Sequence, residues 1–385
     1  MAHSHQSNNL QGSKRPLWVA FLPLMFVLSP PVLAQVPPRY TVTAVNLDGV
    51  NGINDKGQVV GTINTAKHHK ADDGPYMDFA EVAIWQAGKV KIVGTYLHQP
   101  DCTPAAINNQ GVIVVRADKA DHFVGDGNWS DIHLAWWEKG RFFPLTTSGE
   151  VLGMNDKGQA VGFRVWPDGE YGFFARHGRV KEIKNPITKD YCEVTAINNA
   201  GFMAGVAYRH LEPSRYLGGY SDRHYAYLWP PKGKPFNIES LPHLVFSEAS
   251  GINNKGQVIG YVHFKDDWFP NQGGRHLQYN DHAFVWQQGK MTLLDRKDIN
   301  ATRSTAINDA GDVIGEARFP AKQRDGSHSG FFLYQKGALY NLNALLPAAS
   351  HWDLQSVSGM NNRGQIIGSG LHSGKSHAFL LTPTS

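Results

Sequence analysis

Gly251-Ile252-Asn253-Asn254-Lys255-Gly256-Gln257-Val258-Ile259-Gly260 decides the fold, because the chain uses this stretch seven times. The other copies centre on Ile53-Asn54-Asp55, Ile107-Asn108-Asn109, Met154-Asn155-Asp156, Ile197-Asn198-Asn199, Ile307-Asn308-Asp309 and Met360-Asn361-Asn362. One variable residue later each has a glycine: Gly57, Gly111, Gly158, Gly201, Gly311 and Gly364. The central asparagines stand 43 to 55 residues apart, the period of a propeller blade or a solenoid repeat. The local chemistry is a tight β-hairpin. Asparagine starts the turn with its side chain, glycine supplies positive φ, and a Val/Ile strand leaves.

A second piece recurs between these turns. It reads His282-Ala283-Phe284-Val285-Trp286 with Gly289, and its relatives include Val82-Ala83-Ile84-Trp85 with Gly88 and Ala226-Tyr227-Leu228-Trp229 with Gly233. An aromatic-rich strand, a glycine turn and a shorter apolar strand make another hairpin, so each repeat holds four short strands. The last repeat stops after its third strand, His377 to Leu381. Tyr40-Thr41-Val42-Thr43-Ala44-Val45 can supply the fourth from the N-terminus, closing a ring without exposed sheet edges. The expectation is an all-β, seven-bladed β-propeller with four strands per blade, a single domain over residues 35–385. An open β-solenoid is the alternative, and the split last repeat argues against it.

The pattern His-Ala-Phe-x-Trp-x-x-Gly followed by Ala-Ile-Asn-x-x-Gly-x-Val-x-Gly resembles the HAF-type extracellular repeat proteins of bacteria. The resemblance covers nearly all of the chain beyond residue 34 and implies this repeat type and export.

Residues 1–34 read as a signal peptide. Lys14 and Arg15 form a basic start, an apolar run is broken by Pro23, Pro30 and Pro31, and Val32-Leu33-Ala34 suits cleavage. A secreted or periplasmic protein with no lasting membrane insertion is expected. Without Lys14 and Arg15 the basic residues fall from 37 to 35, against 33 acids. That balance excludes a nucleic-acid binder driven by phosphate neutralisation. Two cysteines are too few for a disulfide framework. Cys102 and Cys192, each five residues before the isoleucine of a turn motif, could still pair if their Cα atoms come within about 7 Å.

With strands A to D numbered from the inside out, A–B and C–D turns share one face. The B–C and D–A connections share the other. The long insertions are all B–C: Asn64–Phe79, Asp118–Ile132, Arg209–Arg223, Phe264–Asn280 and Phe319–Ser329. Their histidines, tyrosines, tryptophans and arginines suit recognition and proton transfer on a rigid scaffold. His282 and His377 sit at the repeat's own consensus position, with His133, His224 and His328 near it, and read as hydrogen-bonding groups between blades.

An aromatic, arginine-rich face on an exported propeller suits a glycan partner, since rings stack on sugars and arginine pairs with carboxylate or sulfate. On a uronic-acid polysaccharide, β-elimination needs no cofactor. Arginine neutralises the carboxylate, a His or Tyr takes the C5 proton, and another protonates the leaving oxygen. The catalytic candidates are His122, Tyr191, Arg209, His210, Tyr216 and Arg223. The substrate-binding candidates are Tyr76, Arg116, Trp129, Tyr220, Trp268, Arg275 and His276. The arrangement is similar in outline to seven-bladed propeller polysaccharide lyases such as the ulvan lyases, a resemblance of architecture. Its rival is a non-catalytic binding or scaffold propeller for a protein or cell-surface glycan. His68 and His69 are the metal candidates, for a structural ion at most, and a monomer is expected.

Overall fold

The computed structural model describes residues 37–70, 76–99, 101–118, 132–146, 149–166, 169–176, 178–188, 191–209, 223–264, 268–270, 277–296, 298–319 and 328–384. Pro37–Ser385 forms one compact unit. Its architecture is all-β, built from antiparallel sheets that follow the repeats. In the fifth repeat Leu244–Ile252, Val258–Phe264, His282–Gln287 and Lys290–Leu293 lie side by side in chain order. The third, fourth and sixth repeats form four-stranded sheets in the same order. The first two are joined by one parallel bridge between Ala80 and Asp101. In the last sheet Trp352–Met360, Ile366–His372 and Lys375–Thr384 are followed by Arg39–Val45, which pairs along its whole length with Lys375–Thr384. The strand sought at the N-terminus is therefore paired with the last strand of the chain.

The turn motif explains itself atom by atom. Asn253 is 4 % exposed, yet all its polar atoms are used. Its Oδ1 accepts from Lys255 N and Gln257 N, and its Nδ2 donates to Gln257 Oε1 and, in the next repeat, to Asn308 O at 2.9 Å. Gly256 takes φ of 76°, which costs any residue with a Cβ. Gly260 has a different duty. Strand A bulges between Ala249 and Gly251, and a Cβ on Gly260 would lie 1.8 Å from Glu248 O. Thus the motif's last glycine permits close approach at the bulge, whereas Gly256 permits the turn.

These turns are linked to one another. Asn54, Asn108, Asn155, Asn198 and Asn253 each donate Nδ2 to the backbone oxygen of the asparagine one repeat on, and Asn361 donates to Asn54 O at 2.9 Å. Asn308 instead gives its amide to Asp312 and, in the next repeat, to Met360 Sδ at 4.0 Å. The following residues form a second circuit. Asp55 N donates to Asn109 Oδ1, Asn109 N to Asp156, Asp156 N to Asn199, Asn199 N to Asn254, Asn254 N to Asp309 and Asp309 N to Asn362. Asn362 N then returns to Asp55 Oδ1 at 2.8 Å. Asp55, Asp156 and Asp309 are never neighbours in this circuit. Three is the largest number of carboxylates that seven positions in a circle can hold without placing two side by side, so like-charge repulsion is minimised.

The core lies in the seams between successive sheets rather than in one central mass. Trp137 packs with Val60 and Ile84 of the preceding repeat, and Trp286 with Ala204 and Leu228 of its own predecessor. Cys102 and Cys192 belong to two different seams, the first with Val60 and Ile113, the second with Val161 and Val194. No disulfide joins them. Each is a buried thiol within a first strand, not in the connection before it, and the seams that hold them belong to different repeat pairs. The pairing that the sequence left open is not made. The Asn64–Phe79 insertion also differs from a loop. It prolongs the hairpin, with His68 opposite Asp78, His69 opposite Met77 and Lys70 opposite Tyr76. In the insertion of the fifth repeat, Trp268–Pro270 and Leu277–Tyr279 pair as a short ribbon. No helix of the described residues is long and apolar enough to cross a membrane.

Candidate functional site

At the strand ends remote from the turns, the fourth to sixth repeats bring together a polar, aromatic cluster. Its organising position lies five residues before the turn asparagine. Glu150, Glu193, Glu248 and Arg303 all occupy it in consecutive repeats. Strand A side chains here reach the sheet before them. Glu248 receives Tyr261 Oη at 2.7 Å and stands 2.9 Å from Nδ1 of His224, one repeat back. Glu193 receives Tyr208 Oη at 2.9 Å, and Glu150 pairs with Arg116 at 2.8 Å.

Arg303 replaces the glutamate in the sixth repeat and reverses the charge. Its Nε donates to Asp281 Oδ2 at 2.5 Å, and its guanidinium lies 4.5 Å over the Tyr261 ring. The other oxygen of Asp281 bonds Nε2 of His263. Phe246 is the hydrophobic floor, stacked on His263 at 4.6 Å and tilted against His224 at 4.2 Å, while Tyr208 meets His224 edge-on at 4.4 Å. Alternation along strand B puts Tyr261 and His263 on one face, which is why both reach this cluster.

The electrostatics sort the groups by role. Burial raises the Tyr261 hydroxyl well above its ordinary value, and the Glu248 charge and hydrogen bond add to it, so this phenol holds its proton. Burial works against charge on Asp281, but hydrogen bonds from His263 and Arg303 outweigh it and hold the carboxyl below the usual range. Half of the Arg303 side chain still faces solvent, whereas His263 and Asp281 are mostly covered. The cluster thus holds an anchored imidazole, a protonated phenol and a cation open to a ligand, with two carboxylates fixing their positions.

The expected residues divide into two groups. Arg209 and Arg223 are exposed and directly opposite one another across strands, next to the Tyr208–His224 pair. Tyr191 is half-buried beside them, its carbonyl accepting from Tyr208 N and from Asn185 Nδ2. Arg116 sits two seams away in its pair with Glu150. His122, Trp129, His210, Tyr216, Tyr220, Arg275 and His276 lie outside the described residues. Tyr76, Trp268, His68 and His69 are placed by strand position only. Among the described residues no group of three or more His, Cys, Asp or Glu could hold a metal ion. His224, set aside as a repeat-consensus histidine, does bond between repeats, and the Glu248 it bonds belongs to the cluster.

No family model matches this chain, and no curated protein matches it. Solved structures do. The β-propeller domain of the Trilobed protease from Pyrococcus furiosus is 9 % identical, with a TM-score of 0.52 over 90 % of this chain and 94 % of that one. The polysaccharide lyase Uly1 is 8 % identical, with a TM-score of 0.49 over 91 % of this chain and 100 % of that one. An ulvan lyase bound to a GlcA–Rha3S chain is 9 % identical, at 0.46 over 90 % and 98 %. At these identities the first likeness shows a β-propeller fold and nothing of activity.

Proposed function

We propose that the chain is an exported, seven-bladed propeller, closed by its N-terminal strand, that binds a uronic-acid-containing polysaccharide and cleaves it by β-elimination. One observation carries the reading: His263, Tyr261 and Arg303 meet around Asp281 on the face where the B–C and D–A connections emerge. The Arg303 guanidinium pairs with the uronate carboxylate and stabilises the charge that develops when the C5 proton leaves. His263, oriented by Asp281, takes that proton. Tyr261, kept protonated by burial and Glu248, gives its own to the departing glycosidic oxygen. The electron pair of the C5–H bond becomes the C4–C5 double bond as the C4–O bond breaks, so no water and no cofactor enter. Arg209, Arg223 and Tyr191 extend the same face as the polymer's track.

The test is digestion of a panel of uronate polysaccharides, with polymer length followed by size-exclusion chromatography. Shortening by the parent protein and intact polymer with Arg303→Ala, His263→Ala and Tyr261→Phe is expected. Intact polymer throughout, from a folded parent protein, overturns the reading.

A further inference from the structure

Alternation along strands B and C gives the fourth repeat two unlike faces. Tyr208 and His224, directly opposite one another, share the first. Two carboxylates are engaged there: Glu193 receives Tyr208 Oη at 2.9 Å, and Glu248 stands 2.9 Å from His224 Nδ1. Arg209 and Arg223, the next opposite pair on the same two strands, share the second face. Both are exposed, and neither guanidinium has a hydrogen bond or ion pair among the described residues. Arg116, Arg303 and Arg318, toward the same ends of their own sheets, each have one, with Glu150, Asp281 and Asn280.

Directly opposite residues of antiparallel strands hold their Cβ atoms about 5 Å apart, and like charges in that relation oppose strand pairing. The arginines are kept against that repulsion, which an anion between them removes. Each guanidinium presents a planar fork of N–H donors that fits two oxygens of one anion. A carboxylate has about four lone-pair sites, enough for both forks, and a sulfate half-ester has at least as many. Tyr225, half-buried, lies two residues along from Arg223 on the same face, where its ring can meet the sugar that carries the anion. The Asp281 cluster is on the other side of this sheet, since the Phe246 ring joins His224 at 4.2 Å to His263 at 4.6 Å. The arginine pair therefore meets a different sugar from the one that Arg303 holds.

We infer that Arg209 and Arg223 form a clamp for a single oxyanion of the polysaccharide, a carboxylate or a sulfate half-ester, away from the bond that breaks. The ligand is then a polymer that is acidic on more than one sugar of the bound stretch, rather than one with isolated uronates. This rests on the reading of the chain as a polysaccharide binder, but not on the elimination step.

The probes are polymannuronate, which carries only carboxylates, and cellulose sulfate, which carries only sulfate half-esters. Affinity is measured by calorimetry, separately from cleavage. Arg209→Gln with Arg223→Gln should weaken at least one probe about thirty-fold, and whichever probe suffers more identifies the anion. Arg209→Lys with Arg223→Lys keeps both charges but loses the forks, and should weaken the same probe about five-fold. Lys157→Gln with Lys255→Gln removes as much charge from exposed positions on the turn face and should leave affinity unchanged. Where polymannuronate is cleaved, the loss in the glutamine variant should appear in KM. No binding of either probe, a glutamine variant no weaker than the turn-face control, or a lysine variant as tight as the parent overturns the clamp. A probe held through the pair but left uncut would refute elimination and leave the clamp standing; cleavage with KM unchanged in the glutamine variant would do the reverse.

Discussion

Replacing Asn253 with alanine tests the linked turns most severely. The side chain makes four hydrogen bonds, two accepted from Lys255 N and Gln257 N and two donated, to Gln257 Oε1 and Asn308 O. Alanine leaves both turn amides without their side-chain acceptor, and the Asn308 carbonyl keeps only its bond from Gly311 N. At about 1 kcal/mol for each of the four bonds, the loss is about 4 kcal/mol, a large part of any domain's stability. Asn253→Asp separates the contributions. It keeps the two accepted bonds but turns a carboxylate toward the Asn308 carbonyl, so its cost should shrink below about pH 4, where the carboxyl is protonated and can donate. Urea unfolding followed by tryptophan fluorescence gives both numbers. A loss under about 1 kcal/mol for Asn253→Ala would refute the claim that the side chain holds turn and seam together. Asn361→Ala should cost about as much, since it makes the corresponding bond to Asn54 O.

Gly260→Ala should be far worse than Gly289→Ala when thermal unfolding is compared. The first puts a Cβ 1.8 Å from Glu248 O, while the second meets no atom within 4 Å and pays only for its φ of 85°, about 1 kcal/mol. Asp281 should make stability fall in acid. Its folded carboxyl titrates below the unfolded one, so the stabilisation is complete above the unfolded value and fades as pH drops through the folded one; Asp281→Asn should flatten unfolding curves measured below about pH 4. Burial pushes the Cys192 thiol up to about 11, so labelling by a thiol reagent at neutral pH should be slow until the protein is unfolded, and reduction should leave its mass and mobility unchanged.

The repeats were readable because one job recurs. Asn253 and Gly256 serve the backbone, and a backbone turn demands the same two residues each time it is made. The sheet order followed from the strand count per period, and Tyr40–Val45 followed from the strand missing at the other end. Tyr261, His263, Asp281 and Arg303 were less legible, since they sit on or beside regular strands rather than in the inserted connections. One signal was available. Strand A residues five before the turn asparagine are small or polar in some repeats, such as Thr103 and Ser356, but charged in four successive ones, from Glu150 to Arg303. A charge at the same place in neighbouring repeats meets its partner across a seam, and the partner is remote in sequence. Cys102 and Cys192 misled for the opposite reason. Equivalent positions in a repeat look related, but equivalence places them in separate seams.

The most direct measurement of the functional claim is ultraviolet absorbance while the protein is mixed with uronate polysaccharides. Elimination leaves a conjugated, unsaturated uronate that absorbs where the intact polymer does not, and hydrolysis leaves none. The account predicts a rise that vanishes in Arg303→Ala and His263→Ala. Chain shortening without that rise, or a rise that survives both substitutions, would contradict it.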